Sequence, residues 1–111
     1  MAANKDELEI FRYLTEIGSD INIRDVNSNT ALHHAAASGI VEIIKILLDL
    51  GMSVDSTNAK GETPLHFSAS NGNLEATKAL VERGASLTNT TMYGATPLLL
   101  AANNGELKIF R

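Results

Sequence analysis

Hydrophobic side chains recur at intervals of three and four residues in three similar stretches of the chain. In the first stretch, Leu8, Phe11 and Leu14 keep this spacing, and charged residues such as Glu9 and Arg12 lie between them. The pattern is typical of an amphipathic helix with one buried face. The sequence therefore predicts three long helices, each followed by a glycine that can end it. These helices and their glycines are 7–17 with Gly18, 41–50 with Gly51, and 74–83 with Gly84.

Three shorter helices are predicted in addition, two of them directly before a long helix. The hydroxyl of Thr63 can accept a free backbone N–H of a following helix, and Pro64 suits the first helical turn because it lacks an N–H. A short helix is therefore expected to begin at this point. The three short helices are 31–38, 64–71 and 97–104, closed by Gly39, Gly72 and Gly105.

The segments that lead into the short helices are rich in turn-forming residues. Residues 21–29, 54–62 and 87–95 contain many Asn, Asp, Ser, Thr and Gly residues, so we predict a protruding β-turn in each. Ser28 occupies the position held by Gly61 and Gly94 in the other two segments. Because serine carries a Cβ, we expect the first turn to be the least regular of the three.

The whole pattern repeats every 33 residues. The stretches 28–33, 61–66 and 94–99 are variants of one motif, and the glycines that end the helices keep the same period. The repeating unit is a β-turn, a short helix, a tight turn and a longer helix. One such unit cannot bury its apolar side alone, so neighbouring units are expected to stack in single file.

The sequence resembles the ankyrin-repeat family, whose Thr-Pro-Leu-His signature and 33-residue period it shares. Residues 63–66 match the signature in full, whereas Ala31 replaces the proline of one copy and Leu99 the histidine of another. The resemblance implies an all-α solenoid of stacked helix-turn-helix pairs with protruding β-turns and about three repeats. A single domain, 1–111, is expected to comprise a partial repeat (7–24), two repeats (25–57 and 58–90) and an incomplete repeat (91–111).

Both ends of the array are predicted to be incomplete. Residues 7–12 and 106–111 differ at one position and lie 99 residues apart, which is three periods. The first helix is therefore the second half of a repeat, and the last repeat stops early. We expect the chain to be part of a longer array, and we expect its open apolar ends to promote end-to-end self-association.

Charge and composition narrow the classes of partner. The net charge is −4, with no cluster of Lys and Arg, so binding to nucleic acid or to a membrane surface is disfavoured. The longest apolar runs are too short to span a membrane. The chain has no cysteine and starts with a polar segment unlike a signal peptide. These features are compatible with an intracellular location, in the cytoplasm or the nucleus.

The sequence offers no candidate catalytic residue, cofactor site or metal site. His33 and His66 occupy equivalent positions in adjacent repeats, which are too far apart for the two rings to share a metal ion. His66 is instead expected to bond back to its threonine cap and to tie neighbouring loops together, and His34 is expected to face the helix interior. No nucleophile elbow, P-loop or dinucleotide motif occurs. We therefore expect a protein that is not an enzyme.

The family resemblance implies protein recognition through the β-turn tips and the concave face of the short helices. Met92 and Tyr93 stand out, since large side chains have little structural reason to lie at a tip, and tyrosine is common among interface hot spots. The alternative is an architectural segment of a longer array, or a designed scaffold, without its own ligand. The candidate partner-binding residues are Arg24, Asn27, Asn29, Thr57, Lys60, Glu62, Ser70, Asn71, Thr90, Met92, Tyr93, Asn103 and Asn104.

Overall fold

The computed structural model describes the backbone of residues 5–109 and the side chains of residues 5–103. Over this range the regular structure is entirely helical. The body is elongated, with extents of 44 × 27 × 26 Å. Its helices are α1 (Lys5–Glu16), α2 (Ala31–Ser38), α3 (Val41–Asp49), α4 (Pro64–Ser70), α5 (Leu74–Glu82) and α6 (Pro97–Ile109).

The helices form two layers that run along the long axis. The first helices of the repeats pack in the order α2, α4, α6, and the second helices pack in the order α1, α3, α5. Within a repeat, α2 packs on α3 and α4 packs on α5. The predicted single-file stack of helical pairs is therefore confirmed.

A reciprocal pair of hydrogen bonds starts each of the first two short helices. The backbone N–H of His33 donates to the Thr30 hydroxyl at 3.4 Å, and the backbone N–H of Thr30 donates to the His33 ring at 3.1 Å. Thr63 and His66 make the same two bonds at 3.3 and 2.9 Å. Two backbone donors that a helix start leaves free are satisfied in this way. The predicted helix start at the threonine is confirmed.

Aliphatic side chains fill the space between the layers. The large residues that are 0–2% exposed come from both short and long helices. Full burial of one such side chain contributes about 1.5–3 kcal/mol. Alanines occupy five further buried helix positions, at residues 35, 36, 69, 76 and 79, so that neighbouring helices lie close together. The fully buried aliphatic residues are Leu32, Ile44, Leu47, Leu65 and Leu80.

The end of α6 differs from the prediction. The sequence predicts a stop at Gly105, but α6 continues through this residue to Ile109. A glycine inside a helix costs about 1 kcal/mol. A stop at Gly105 would require a second helix to be nucleated after it, and nucleation is unfavourable for a segment of under two turns. Residues 106–109 therefore extend the existing helix.

Two further expectations are wrong. Ser28 adopts a φ of 63°, close to the 72° and 78° of Gly61 and Gly94, so the first turn is as regular as the others.

His34 does not face the interior. Its ring is exposed, and Nε2 lies 2.9 Å from a carboxylate oxygen of Asp25. One helical position beyond the buried His33 corresponds to a rotation of about 100°, which carries the side chain out to solvent.

Candidate functional site

The three predicted β-turns are confirmed and share one geometry. In each turn the backbone N–H of the fourth residue donates to the carbonyl oxygen of the first. The fourth residue has a positive φ in every case, as in a hairpin turn that ends in a one-residue bulge. The closing bonds run from Ser28 to Asp25 at 2.9 Å, from Gly61 to Asn58 at 3.0 Å, and from Gly94 to Thr91 at 2.9 Å.

The side chain of the first residue holds each turn from within. Asp25 Oδ1 accepts the backbone N–H groups of Asn27 and Asn29 at 2.8 and 3.0 Å. The bond from the Asn29 backbone is the largest of the effects that hold the pKa of Asp25 below its usual value, and burial opposes it. Asn58 and Thr91 accept the equivalent two backbone donors of their turns. The sequence analysis missed this series, although short polar side chains at a 33-residue spacing are its signal.

Successive turns are also bonded to each other. The Ala59 backbone N–H donates to the carbonyl oxygen of Asn27 at 3.1 Å, and the Met92 N–H donates to that of Lys60 at 2.9 Å. The side-chain amide of Asn58 donates to Asn29 Oδ1 at 2.8 Å. The three tips therefore form one continuous row with a fixed spacing.

Two buried histidines connect the short helices to this row. His33 Nε2 lies 2.8 Å from the Glu62 carbonyl oxygen, and His66 Nε2 lies 2.9 Å from that of Asn89 and 3.2 Å from that of Ala95. Nδ1 of each ring accepts a backbone N–H, so Nε2 carries the proton and donates it. Burial lowers the pKa of His33 and keeps this ring neutral. The expected structural role of His66 is confirmed.

Neither ring has a nitrogen left for a metal ion, since both nitrogens of each are hydrogen-bonded. Over the described residues, no group of three or more His, Cys, Asp or Glu side chains could hold a metal ion.

Large apolar side chains are exposed at the first and third tips. Met92 and Tyr93 are 65% and 76% exposed, and Val26 is 95% exposed. Their side chains bury little area against the chain, so packing gives no reason for their size. Most of the other predicted partner-binding residues are polar and exposed as well. These are Arg24, Asn27, Thr57, Lys60, Asn71, Thr90 and Asn103, whereas Asn29, Glu62 and Ser70 are half-buried and the Asn104 side chain lies outside the described residues.

Four of the predicted residues come together in one cleft between the first two turns. Asn27 and Asn29 line one side of it, and Lys60 and Glu62 line the other. The cleft has a volume of about 300 Å³, and Phe67 of α4 also lines it. The Phe67 ring packs edge-on against His33, with centroids 5.5 Å apart. The sequence analysis missed Phe67, because its place in the cleft depends on the packing of α4 beneath the turns.

Some of the predicted residues bond within the array. Arg24 Nη1 donates to the carbonyl oxygens of Ser28 at 2.9 Å and Thr57 at 2.8 Å, and so links two repeats. The Asn71 amide donates to the Ala37 carbonyl oxygen at 3.0 Å. These side chains hold repeats together, which the periodic pattern alone did not indicate. Their part in partner binding stays a prediction.

Comparison with known proteins agrees with this architecture. A family model described as ankyrin repeats (3 copies) matches residues 1–91 and 51–111. The two matched ranges together span the chain. No curated protein was found to match it. Ankyrin repeats are generally protein–protein interaction modules, and their fold is not an enzyme fold. None of the described helices is long and apolar enough to cross a membrane.

Proposed function

We propose that this chain, which belongs to the ankyrin-repeat family, binds a protein partner through its row of β-turn tips and the adjoining side of the short helices. The observation that carries the proposal is the exposure of Met92 and Tyr93, at 65% and 76%. Large, partly apolar side chains of this kind are over-represented in the energetic centres of protein interfaces. An architectural segment without a ligand would need only small polar residues at these positions.

The rigidity of the third turn supports this assignment. The Tyr93 backbone N–H donates to the Thr91 hydroxyl at 3.2 Å, and the Met92 N–H donates to the carbonyl oxygen of Lys60 at 2.9 Å. Both bonds fix the backbone and leave the two side chains free. Association then needs no rearrangement of the backbone that presents them.

The cleft beside the second tip extends the surface. Asn27 and Asn29 offer amide groups, Lys60 offers a positive charge, and the half-buried Phe67 offers an apolar contact. A loop or an extended segment of a partner could place backbone groups against the amides and one side chain against the ring. This combination of apolar contact and convergent polar groups is common in recognition sites.

A pull-down with matched variants tests the proposal. The immobilised chain is exposed to a lysate and compared with Met92→Ala, Tyr93→Ala and a control, Leu74→Ala. Leu74 is also an exposed apolar residue, at 61%, but it lies at the start of α5 in the other helix layer. We expect proteins that the wild type and the control retain and that the tip variants lose.

Binding is then measured with one such protein after purification. Removal of one hot-spot side chain should raise the dissociation constant about tenfold or more. Equal retention by all four chains, or a loss with the control alone, would contradict the proposal.

We further propose that the interaction takes place inside the cell, in the cytoplasm or the nucleus, which is compatible with the cysteine-free sequence.

A further inference from the structure

The two ends of the array expose side chains that the interior repeats bury. Ile10 and Leu14 of α1 are 60% and 45% exposed. Ile43 and Leu47, which lie 33 residues later at the same positions of α3, are 9% and 0% exposed. The exposed positions of α1 therefore correspond to those that α3 buries within its repeat.

The opposite end shows the complementary feature. Leu98 of α6 is 76% exposed, whereas its equivalents Leu32 and Leu65 are 0% and 2% exposed. Leu98 lines an apolar groove of about 360 Å³, together with Val81 and Leu87. Because α6 continues straight through Gly105, its last turns do not fold back across this groove.

We propose that a second copy of the chain covers both surfaces in a head-to-tail manner. The α1 helix of one copy would lie beside α5 and α6 of another, and complete the repeat that α6 begins. Residues 7–12 differ from 106–111 at one position, so α1 has the phase of a helix that follows α6. The new contact would continue the packing of α4 on α2 and of α5 on α3 that is already present.

Two residues at the ends of the array favour a copy of this chain as the occupant. His66 reaches the next repeat at the carbonyl oxygen of Asn89, 2.9 Å from Nε2. Leu99 takes the place of His66 one period later, and Ile23 takes the place of Asn89 two periods earlier. The acceptor is a backbone atom, so in the head-to-tail arrangement Leu99 of one copy lies beside the backbone of Ile23 of the next.

Inside the chain, the equivalent contact is a hydrogen bond from the His66 ring to a backbone carbonyl oxygen. At the junction, leucine replaces the histidine and the residue on the acceptor side is isoleucine. Leu99 and Ile23 are 57% and 71% exposed in the single chain. Leucine cannot make the bond of the histidine, but it can bury area against isoleucine, and burial of apolar surface favours association.

The proposed contact uses different surfaces on the two copies. A contact of this kind leaves one free face at each end of a dimer, so association continues to longer species. The wild-type chain should show a mass that rises steadily with concentration, over roughly 10 µM to 1 mM. Sedimentation equilibrium or light scattering measures this mass.

Two single variants block one end each. Leu99→Lys leaves the Ile23 face intact, and Ile23→Lys leaves the Leu99 face intact. Both positions are exposed in the single chain, so both variants should fold, which circular dichroism verifies. The association constant of each variant alone should be lower than that of the wild type by a factor of about ten or more, because burial of an unpaired charge is costly.

An equimolar mixture of the two variants should form dimers and stop there. The wild-type faces of the two variants can pair, while the remaining faces both carry lysine and repel each other. Leu50→Lys is the control. It also replaces an exposed apolar residue, at 52%, but it lies at the end of α3, which already packs on α1 and α5, and it should associate like the wild type.

Other outcomes would overturn the proposal. A wild-type chain that remains monomeric to about 1 mM would leave the two faces to a different protein segment. Unchanged association of either single variant would indicate a contact between like faces. A mixture that stays monomeric, or a Leu50→Lys chain that no longer associates, would show that the faces do not pair as proposed.

Discussion

The imidazole Nε2 of His33 lies 2.8 Å from the carbonyl oxygen of Glu62, and so joins a helix of one repeat to the turn of the next. His33 is completely buried. The bond needs a neutral ring whose Nδ1 accepts the Thr30 backbone N–H. The contact between the repeats therefore depends on the protonation state of one side chain.

Acidification should weaken the fold through His33. Burial lowers the pKa of His33 in the folded chain, so below about pH 6.5 the unfolded chain takes up a proton that the folded chain does not. The free energy of unfolding should fall as the pH drops through this window, until the folded pKa is reached. Urea unfolding at about pH 7.5 and about pH 5.5 measures the change, with His33→Gln for comparison. An equal gap between the two proteins at both pH values would refute this prediction.

Replacement of Ser28 by glycine should stabilise the chain. Ser28 has a φ of 63°, and the left-handed region costs a residue with a Cβ about 1–2 kcal/mol. Glycine recovers this energy but loses more backbone entropy on folding, about 0.4–1 kcal/mol. We expect a net gain of about 0.5–1 kcal/mol in the free energy of unfolding.

The reciprocal change, Gly94→Ala, serves as its control. Gly94 has a φ of 78°, and an added Cβ would meet no atom within 4 Å, so only the backbone conformation is affected. We expect a loss of similar size. Thermal or urea unfolding decides the matter, and a destabilised Ser28→Gly chain would show that the serine hydroxyl contributes more than the backbone costs.

Asn73 should contribute more to stability than Asn71, although both bond to the preceding repeat. The Asn73 amide is half-buried and donates to the carbonyl oxygens of Ala36 at 3.0 Å and Ala37 at 2.9 Å. These oxygens belong to the last turn of α2, and that of Ala36 also accepts the backbone N–H of Gly39 at 3.3 Å. Asn73→Ala should lower the free energy of unfolding by about 1–2 kcal/mol.

Asn71→Ala should cost only about 0.5 kcal/mol, because the residue is exposed and makes one bond, to Ala37 at 3.0 Å. Urea unfolding of the two variants measures both values under the same conditions. Losses of equal size would indicate that burial of the amide does not matter at this junction.

Tyr93→Ala should leave the fold intact while it weakens partner binding. The side chain is 76% exposed, and the bonds that hold the turn use the Tyr93 backbone, which alanine retains. The free energy of unfolding should change by less than about 0.5 kcal/mol. Differential scanning calorimetry of the two proteins tests this expectation. A large loss of stability with unchanged affinity would assign Tyr93 to the fold rather than to binding.

The features that the sequence predicted are local ones. The start of α4 follows from Thr63 and Pro64, which cap and begin a helix wherever it packs. The end of α6 was not predictable from Gly105, because a glycine stops a helix only where a turn and a following helix are more favourable. The exposure of His34 was missed since two adjacent histidines give no sign of which one faces the core.

The site was predictable only in part, for a related reason. The exposed positions of Met92 and Tyr93 follow from their place in a turn. The cleft with Phe67 and the internal bonds of Arg24 depend on residues about one period apart in the sequence. The spacing shows that such residues are neighbours, but it does not show which of their atoms bond.

The backbone N–H groups of Ala59 and Met92 donate to the carbonyl oxygens of Asn27 and Lys60, and these bonds between tips have a consequence for the thermodynamics of recognition. A loop that is mobile before it binds must lose conformational entropy on association, and this loss reduces affinity. Here folding has already restricted the three tips, and the restriction is shared along the row. A partner would therefore bind a row of tips that is already ordered. Little of the favourable binding enthalpy would then be offset by a loss of conformational entropy in the tips.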